Sequence, residues 1–225
     1  MHIEAGVVAG VKIMLSYATG VAVFAAMAKE AYENIKNNSF MSFIAKSLLA
    51  SILVFICFEV FPHYPIGVSE VHLILGTTIY LVFGLAPAAI GLSLGLLVQG
   101  LFFAQFDLPQ YGINVTTLIA SLFILDFASK KIIPKGIAYK DINYSQLLKL
   151  SVVWEGAIVT WVMFWAFYGQ GFGAENIQNV LSFASAYMSV IIIEPFVDLA
   201  ILAMVKQYTK TNDCAYIFDK KLCKA

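Results

Sequence analysis

The first two residues of the chain, Met1 and His2, carry groups from which a metal chelate can be built. The amine of Met1, the backbone amide nitrogen of His2 and the imidazole of His2 can close two fused rings around one ion, which places three nitrogens in a plane. One further imidazole completes a square, and square-planar nitrogen coordination is typical of Ni(II) or Cu(II). The start of the sequence therefore predicts a metal site that depends on a free amine at Met1.

His72 is the best candidate for the fourth nitrogen. It follows a turn-rich stretch, residues 65–69, and comes at the start of a long apolar run. A histidine in such a place is commonly only an interfacial residue, so the ligand role depends on its pairing with the Met1-His2 end. His63, in the same predicted loop, is either an additional ligand on the approach to the site or a solvated loop residue.

Composition places these residues in a membrane protein. Hydrophobic residues make up 60% of the chain, charged residues make up 12%, and the mean hydropathy is +0.83, which lies outside the balance of soluble globular chains. The formal net charge is zero, and no basic stripe is available for phosphates, which excludes a nucleic-acid-binding protein.

Glu4 precedes the first apolar run and no positive charge comes before Lys12, so we expect no cleavable signal peptide and a retained N-terminus.

The apolar runs predict an all-α integral membrane protein, a bundle of about seven transmembrane helices. A helix needs about 20 mostly apolar residues to cross about 30 Å of hydrocarbon, which places the spans at residues 5–28, 41–61, 70–86, 88–106, 113–129, 147–168 and 179–205. Pro87 divides the third span from the fourth within one near-continuous apolar run. We expect residues 1–205 to form a single membrane domain and residues 206–225 to form a short cytoplasmic tail.

Lysine placement predicts the orientation of the bundle, because cytoplasmic loops carry the positive excess. The chain contains no arginine, and every lysine except Lys12 falls on one side of the seven-span arrangement. The N-terminus is therefore expected outside and the C-terminus in the cytoplasm. In that arrangement His2, His63 and His72 all lie at or near the outer side.

Three carboxylates lie within the last two predicted spans, where ionisable side chains are costly and usually functional. They are Glu155 and, four residues apart on one helix face, Glu194 and Asp198. We expect them to form interhelical hydrogen bonds, because the ion site is predicted at the outer mouth. They also define the alternative function, a secondary transporter or channel for a cation with these carboxylates as a midplane relay.

Other functional classes find little support in the sequence. The phosphate-binding motif G-x-x-x-x-G-K-[ST] is absent, so an ATPase site within this chain is not expected and energy must come from another subunit. No nucleophile, base and orienting residue form a recognisable set, which disfavours an intramembrane enzyme. A purely structural membrane subunit would not need the chelating groups of Met1 and His2.

Several separated motifs together resemble one known family. They are Met1-His2-Ile3, residues 65–73 (Pro-Ile-Gly-Val-Ser-Glu-Val-His-Leu), Gly84, residues 87–90 (Pro-Ala-Ala-Ile), residues 99–103 (Gln-Gly-Leu-Phe-Phe) and residues 111–114 (Tyr-Gly-Ile-Asn). In this order they are similar to the cobalt/nickel substrate-specificity subunits of energy-coupling-factor transporters, the CbiM/NikM type. The match is densest over residues 62–118.

The resemblance implies a metal-binding role for residues at the outer mouth. The amine of Met1, the amide and imidazole of His2 and the imidazole of His72 would hold the ion, and Asn114 would support them. His63 and Ser69, in the loop before His72, are further candidates for residues around the site. Ni(II) or Co(II) is then the transported substrate, and planar geometry and the Irving–Williams order favour nickel. Family members commonly carry Pro-Thr-Ser or Gly-Thr-Ser before the second histidine, whereas this chain reads Val68-Ser69-Glu70.

The resemblance also implies partners and a location. The chain would be the substrate-binding S component of an ABC-type importer in the plasma membrane of a prokaryote. Its partners would be a transmembrane coupling (T) subunit, ATP-binding subunits and a small accessory membrane subunit, all within or on the lipid bilayer.

Overall fold

The protein is described from a computed structural model, which covers residues 2–209 and 216–223. Within these residues the chain is mostly helical, with two short strands, β1 (Tyr64–Ile66) and β2 (Ser69–Val71), paired antiparallel. The helices are α1 (Met14–Asn37), α2 (Phe40–Phe55), α3 (Gly76–Phe83), α4 (Leu85–Phe102), α5 (Tyr111–Ile132), α6 (Tyr144–Gln170), α7 (Ala174–Met188), α8 (Glu194–Tyr208) and α9 (Lys220–Cys223).

Six helical segments of the described chain are long and apolar enough to cross a membrane. They are Gly10–Asn37, Phe40–Val60, Leu85–Phe102, Gln105–Ile132, Tyr144–Gln170 and Ala174–Tyr208. Each corresponds to one of the predicted spans, so the prediction of a helical membrane protein is confirmed. The last segment joins α7 to α8 through a short 3-10 turn, Ser189–Ile192.

The predicted third span, residues 70–86, does not form a helix of membrane length. This stretch begins in β2 and ends in α3, whose eight residues are about 12 Å long at 1.5 Å per residue. All eight residues of α3 are buried, and a short apolar run of this kind is typical of a core helix rather than a lipid-facing one. The predicted count of seven helical spans is therefore not confirmed, because the apolar composition here reflects burial within the protein.

Two small residues let α4 pack closely on α2. A Cβ added at Gly91 would lie 2.5 Å from the Cβ of Ala50, and one at Gly95 would lie 2.5 Å from Cγ1 of Val54. Close backbone approach of this kind is a main source of attraction between helices in a bilayer. These contacts fix the position of α4 against α2.

The start of α3 is fixed by a tight contact with α6. Leu75 adopts a left-handed conformation (φ 56°) and turns the extended chain after β2 into the helix. The next residue is Gly76, where a Cβ would lie 2.1 Å from Cε2 of Trp154. A left-handed conformation costs a residue with a side chain about 1–2 kcal/mol, and the burial of Leu75 offsets that cost.

The C-terminal residues 216–223 pack against the bundle. The backbone N–H of Asp219 donates to the carbonyl of Val82 (2.8 Å), and Leu222 is fully buried. Helix α8 continues to Tyr208, and residues 210–215 lie outside the described chain. The division at residue 205 into a membrane domain and a tail stays a prediction.

Candidate metal centre

The hairpin of β1 and β2 sets the position of His72. Its turn contains Gly67, whose φ of 63° lies in the region that favours glycine. A Cβ at Gly67 would lie 2.0 Å from the carbonyl oxygen of Asn179 in α7, so the hairpin can pack this closely only with glycine there. His72 follows the last residue of β2 directly.

The N-terminal segment pairs with the free edge of β2. Ile3 forms an antiparallel bridge with Ser69. Two backbone hydrogen bonds flank the bridge: Glu70 N–H donates to the carbonyl of His2 (2.9 Å), and Glu4 N–H donates to the carbonyl of Val68 (3.0 Å). The hydroxyl of Ser69 also donates to the carbonyl of His2 (2.8 Å). This register places His2 opposite Glu70.

Contacts with two helices hold the same segment in the core. The buried side chain of Asn114 in α5 accepts a hydrogen bond through Oδ1 from the backbone N–H of Ile3 (3.0 Å). At the end of α6, a Cβ on Gly169 would lie 2.0 Å from the carbonyl oxygen of Val7. Ile3 and Val8 have no exposed surface, so the start of the chain is part of the hydrophobic core.

These contacts bring three side chains with metal-ligating atoms together. Nδ1 of His2 lies 3.2 Å from Nε2 of His72, and Oε2 of Glu70 lies 3.0 Å from the former and 2.9 Å from the latter. Both imidazoles are buried, whereas the Glu70 side chain is 16% exposed. Within the described residues this is the one group of three such side chains close enough to hold a metal ion.

Glu70 was not among the residues predicted to line the site. Its signal in the sequence is the spacing Glu70-Val71-His72, because side chains two residues apart in a strand point to the same face. This spacing points to a shared face only if residues 69–71 form a strand, whereas the apolar pattern predicted a transmembrane helix over residues 70–86.

At neutral pH the protonation states of these three side chains favour metal binding. Burial lowers the pKa of His2 to about 4, against the opposing effect of Glu70, and burial also lowers the pKa of His72. Burial alone would raise the pKa of Glu70, but its contacts with the two imidazoles hold that pKa well below its usual range. Two neutral imidazoles and one carboxylate, the forms that bind metals, are therefore present at pH 7.

Aromatic rings fix the orientation of the two imidazoles. His63 stacks on His72 with ring centroids 4.8 Å apart, and Phe58 packs edge-on against both His72 (5.2 Å) and His2 (5.3 Å). Nδ1 of His63 lies 3.2 Å from the carbonyl oxygen of Phe61. His63 is therefore placed beside the group as a packing neighbour.

The structure brings five of the six predicted site residues into one region. His2 and His72 contribute ring nitrogens, His63 packs on one ring, and Ser69 and Asn114 hold the backbone that carries His2. Met1 lies outside the described residues, so its predicted amine ligand stays a prediction.

The three carboxylates of the predicted relay lie away from this group. Asp198 accepts hydrogen bonds from the hydroxyls of Thr78 and Ser151, which confirms the predicted interhelical bonding for that residue. Glu155 and Glu194 are also fully buried, and Glu155 lies beside Glu194 and Tyr187.

The Asn114 contact yields a prediction about the N-terminal segment. Asn114→Ala leaves the buried N–H of Ile3 without an acceptor, which costs about 1–3 kcal/mol. We expect amide hydrogen exchange in residues 3–8 to become about tenfold faster or more, measured by mass spectrometry in detergent. Asn176→Ala is the control, because it removes a buried amide that bonds to Ala166 and Gly171 instead. Equal exchange in the two variants would contradict the anchoring role of Asn114.

The fold is similar to solved structures of metal transporters. One, described as a truncated transition metal transporter, superposes with a TM-score of 0.68 at 16% identity, over 94% of this chain and 99% of the other. A second, described as a transition metal transporter, gives a TM-score of 0.58 at 17% identity, over 94% and 93%. At these identities the likeness shows a shared fold. No curated protein matches the sequence.

The sequence also matches a family model along most of its length. The model is described as the cobalt uptake substrate-specific transmembrane region, CbiM, and it matches residues 2–211. That range includes His2, Glu70, His72 and Asn114. The chain therefore belongs to the CbiM family of cobalt-uptake membrane components.

Proposed function

We propose that this chain is the S component of an energy-coupling-factor importer and captures Ni(II) or Co(II) at the outer face of the membrane. The observation that carries the proposal is the approach of Nδ1 of His2 to Nε2 of His72, 3.2 Å apart, in a member of a cobalt-uptake family. Two neutral, buried imidazole nitrogens at this distance fit adjacent positions around one ion with bonds of about 2.0–2.1 Å. Imidazole nitrogen suits nickel and related ions.

The remaining donors of the proposed site come from the chain end. The amine of Met1 and the amide nitrogen of His2 would form fused chelate rings with Nδ1 of His2, which is the ring nitrogen that faces His72. Anchoring of the neighbouring backbone supports this arrangement, because Asn114 and Ser69 hold Ile3 and His2 in place before an ion arrives. A preorganised site avoids the entropic cost of ordering its ligands on binding.

An outer location for this site agrees with the distribution of lysines. Asn37 at the end of α1, Lys130 in α5 and Lys221 in α9 line one pocket, so three of the lysine-rich segments meet at one end of the bundle. That end is proposed to face the cytoplasm of a prokaryotic cell. The metal site then opens to the outside, where an importer captures its substrate.

Transport would require the partners that the family resemblance implies. A transmembrane coupling subunit, ATP-binding subunits and a small accessory membrane subunit would supply the energy, and reorientation of this subunit against them would carry the ion inward. In this scheme the chain is a transport subunit without an ATPase site of its own.

A second candidate function is a self-sufficient cation transporter. The observation in its favour is the burial of Glu155, Glu194 and Asp198 in the membrane-spanning part of the bundle, because such carboxylates often mark ion or proton pathways. This function needs neither partner subunits nor the histidines at the outer face.

Removal of an imidazole tests the ligand assignment. We expect His72→Ala to weaken Ni(II) and Co(II) binding about 100-fold or more, because even residues behind the ligands typically contribute 10–100-fold. Isothermal titration calorimetry on the purified, metal-stripped protein measures the change. His63→Ala is the matched control, since it removes the stacked ring without removing a proposed donor. Similar losses in both variants would argue for a packing role of His72.

A short extension ahead of Met1 tests the chelate at the chain end. Three added residues leave every native side chain present but convert the amine into an amide, so we expect Ni(II) binding to fall about 100-fold or more. The same three residues inserted after Lys135, in an exposed loop, should leave binding unchanged. Intact binding in the extended protein would refute the chelate.

Reconstitution of the chain alone separates the two candidate functions. In proteoliposomes with an imposed proton or sodium gradient, we expect no uptake of labelled Ni(II) above that of empty vesicles, and Glu194→Gln should leave metal binding unchanged. Gradient-driven uptake that Glu194→Gln abolishes and His72→Ala preserves would establish the secondary transporter instead.

A further inference from the structure

Glu70 lies on the same side of the two imidazoles as the proposed ion. Its Oε2 atom contacts Nδ1 of His2 and Nε2 of His72, the two ring nitrogens that face each other. The opposite nitrogens, Nε2 of His2 and Nδ1 of His72, are buried and have no hydrogen-bond partner within the described residues. A carboxylate that only orients a metal-bound histidine contacts the nitrogen away from the metal. Glu70 is therefore placed as a ligand rather than as an orienting residue.

The distances among the three atoms restrict the geometry that an ion can adopt. Nδ1 of His2, Nε2 of His72 and Oε2 of Glu70 form a triangle with sides of 3.2, 3.0 and 2.9 Å. With metal–ligand bonds of about 2.0–2.1 Å, adjacent positions at 90° are about 2.9 Å apart and opposite positions are about 4.1 Å apart. All three pairs are therefore adjacent.

Three corners of a square always include one opposite pair, so these three atoms cannot share one coordination plane. If the imidazoles of His2 and His72 lie in the plane completed by the amine of Met1 and the amide nitrogen of His2, Glu70 must lie above that plane. With those four nitrogens in one plane, the triangle is one face of a square pyramid or octahedron.

Charge balance supports the same assignment. A divalent ion held by one deprotonated amide and three neutral nitrogens keeps one net positive charge, and burying an uncompensated charge is costly. The carboxylate of Glu70, which contacts both imidazoles, would make the complex neutral. Glu4, the acidic neighbour in the same strand pair, bonds to Val68 through its backbone, and no contact joins its carboxylate to either imidazole among the described atoms.

We propose that Glu70 is an axial ligand of the transported ion, so that the site holds Ni(II) or Co(II) in a five- or six-coordinate form rather than in a square plane. This inference rests on the proposed function and deepens it by naming the geometry of the substrate. A site with an axial carboxylate binds Co(II) better, relative to Ni(II), than a planar nitrogen site does. The reason is that planar coordination stabilises the d8 ion Ni(II) most. Mixed nitrogen and oxygen ligands in octahedral arrangements suit the ions that resist planarity.

The magnetic moment of bound Ni(II) tests the proposal. Square-planar Ni(II) is diamagnetic, whereas six-coordinate Ni(II), and five-coordinate Ni(II) with a firmly bound axial oxygen in a weak ligand field, has two unpaired electrons. We expect the nickel-loaded, full-length wild-type protein to be paramagnetic in detergent solution, measured by NMR susceptibility.

We expect Glu70→Ala to bind Ni(II) in a diamagnetic form and to bind Co(II) about tenfold or more weaker, with a smaller loss for Ni(II). Glu70→Gln, which keeps the volume but loses the charge, should show the same loss of Co(II) preference.

Glu4→Gln is the matched control and should change neither the magnetic moment nor the ratio of the two affinities. Diamagnetic Ni(II) in the wild-type protein would overturn the proposal without any variant, so a folding defect at position 70 does not affect the test. A wild-type protein that binds neither metal would instead contradict the proposed function. An unchanged magnetic moment in both Glu70 variants would show that another atom supplies the axial ligand.

Discussion

The pairing of the N-terminal segment with the edge of β2 is the interaction on which the site depends. Ile3 bridges Ser69, and the hydrogen bond between Glu70 N–H and the carbonyl of His2 fixes the register beside it. A shift of one residue would turn every side chain of the segment to the opposite face. His2 meets Glu70 and His72 only because this register is held from both sides, by the strand edge and by Asn114.

The same pairing explains why a membrane protein contains extended backbone at this point. Backbone groups in a bilayer must find partners within the protein, and non-helical segments occur only where protein or water surrounds them. Here the N-terminal segment satisfies part of the edge of β2, while the buried helix α3 continues the chain into the bundle. Residues 2–4 thus form a backbone pairing with β2 and carry a proposed ligand, so the same contacts would serve folding and the proposed metal capture.

The electrostatic character of the site follows from its position between core and surface. Burial keeps the imidazoles neutral, and the partly exposed Glu70 remains ionised beside them. An isolated carboxylate at this depth would be costly, but the adjacent ring nitrogens of His2 and His72 stabilise it. The buried carboxylates Glu155 and Glu194 lie beside each other instead, which distinguishes the two acidic regions of the bundle.

The sequence by itself determined the membrane class and six of the spans, and it predicted His2 and His72 as neighbours at a metal site, because apolar runs of membrane length and a Met-His start are local signals. The resemblance of separated motifs also predicted Asn114 near the site. Only the tertiary structure decided that residues 70–86 form a strand end and a short core helix, since an apolar run does not reveal whether lipid or protein covers it. For the same reason Glu70 emerged only from the fold, because its place depends on the pairing of Ile3 with Ser69, which are far apart in the sequence.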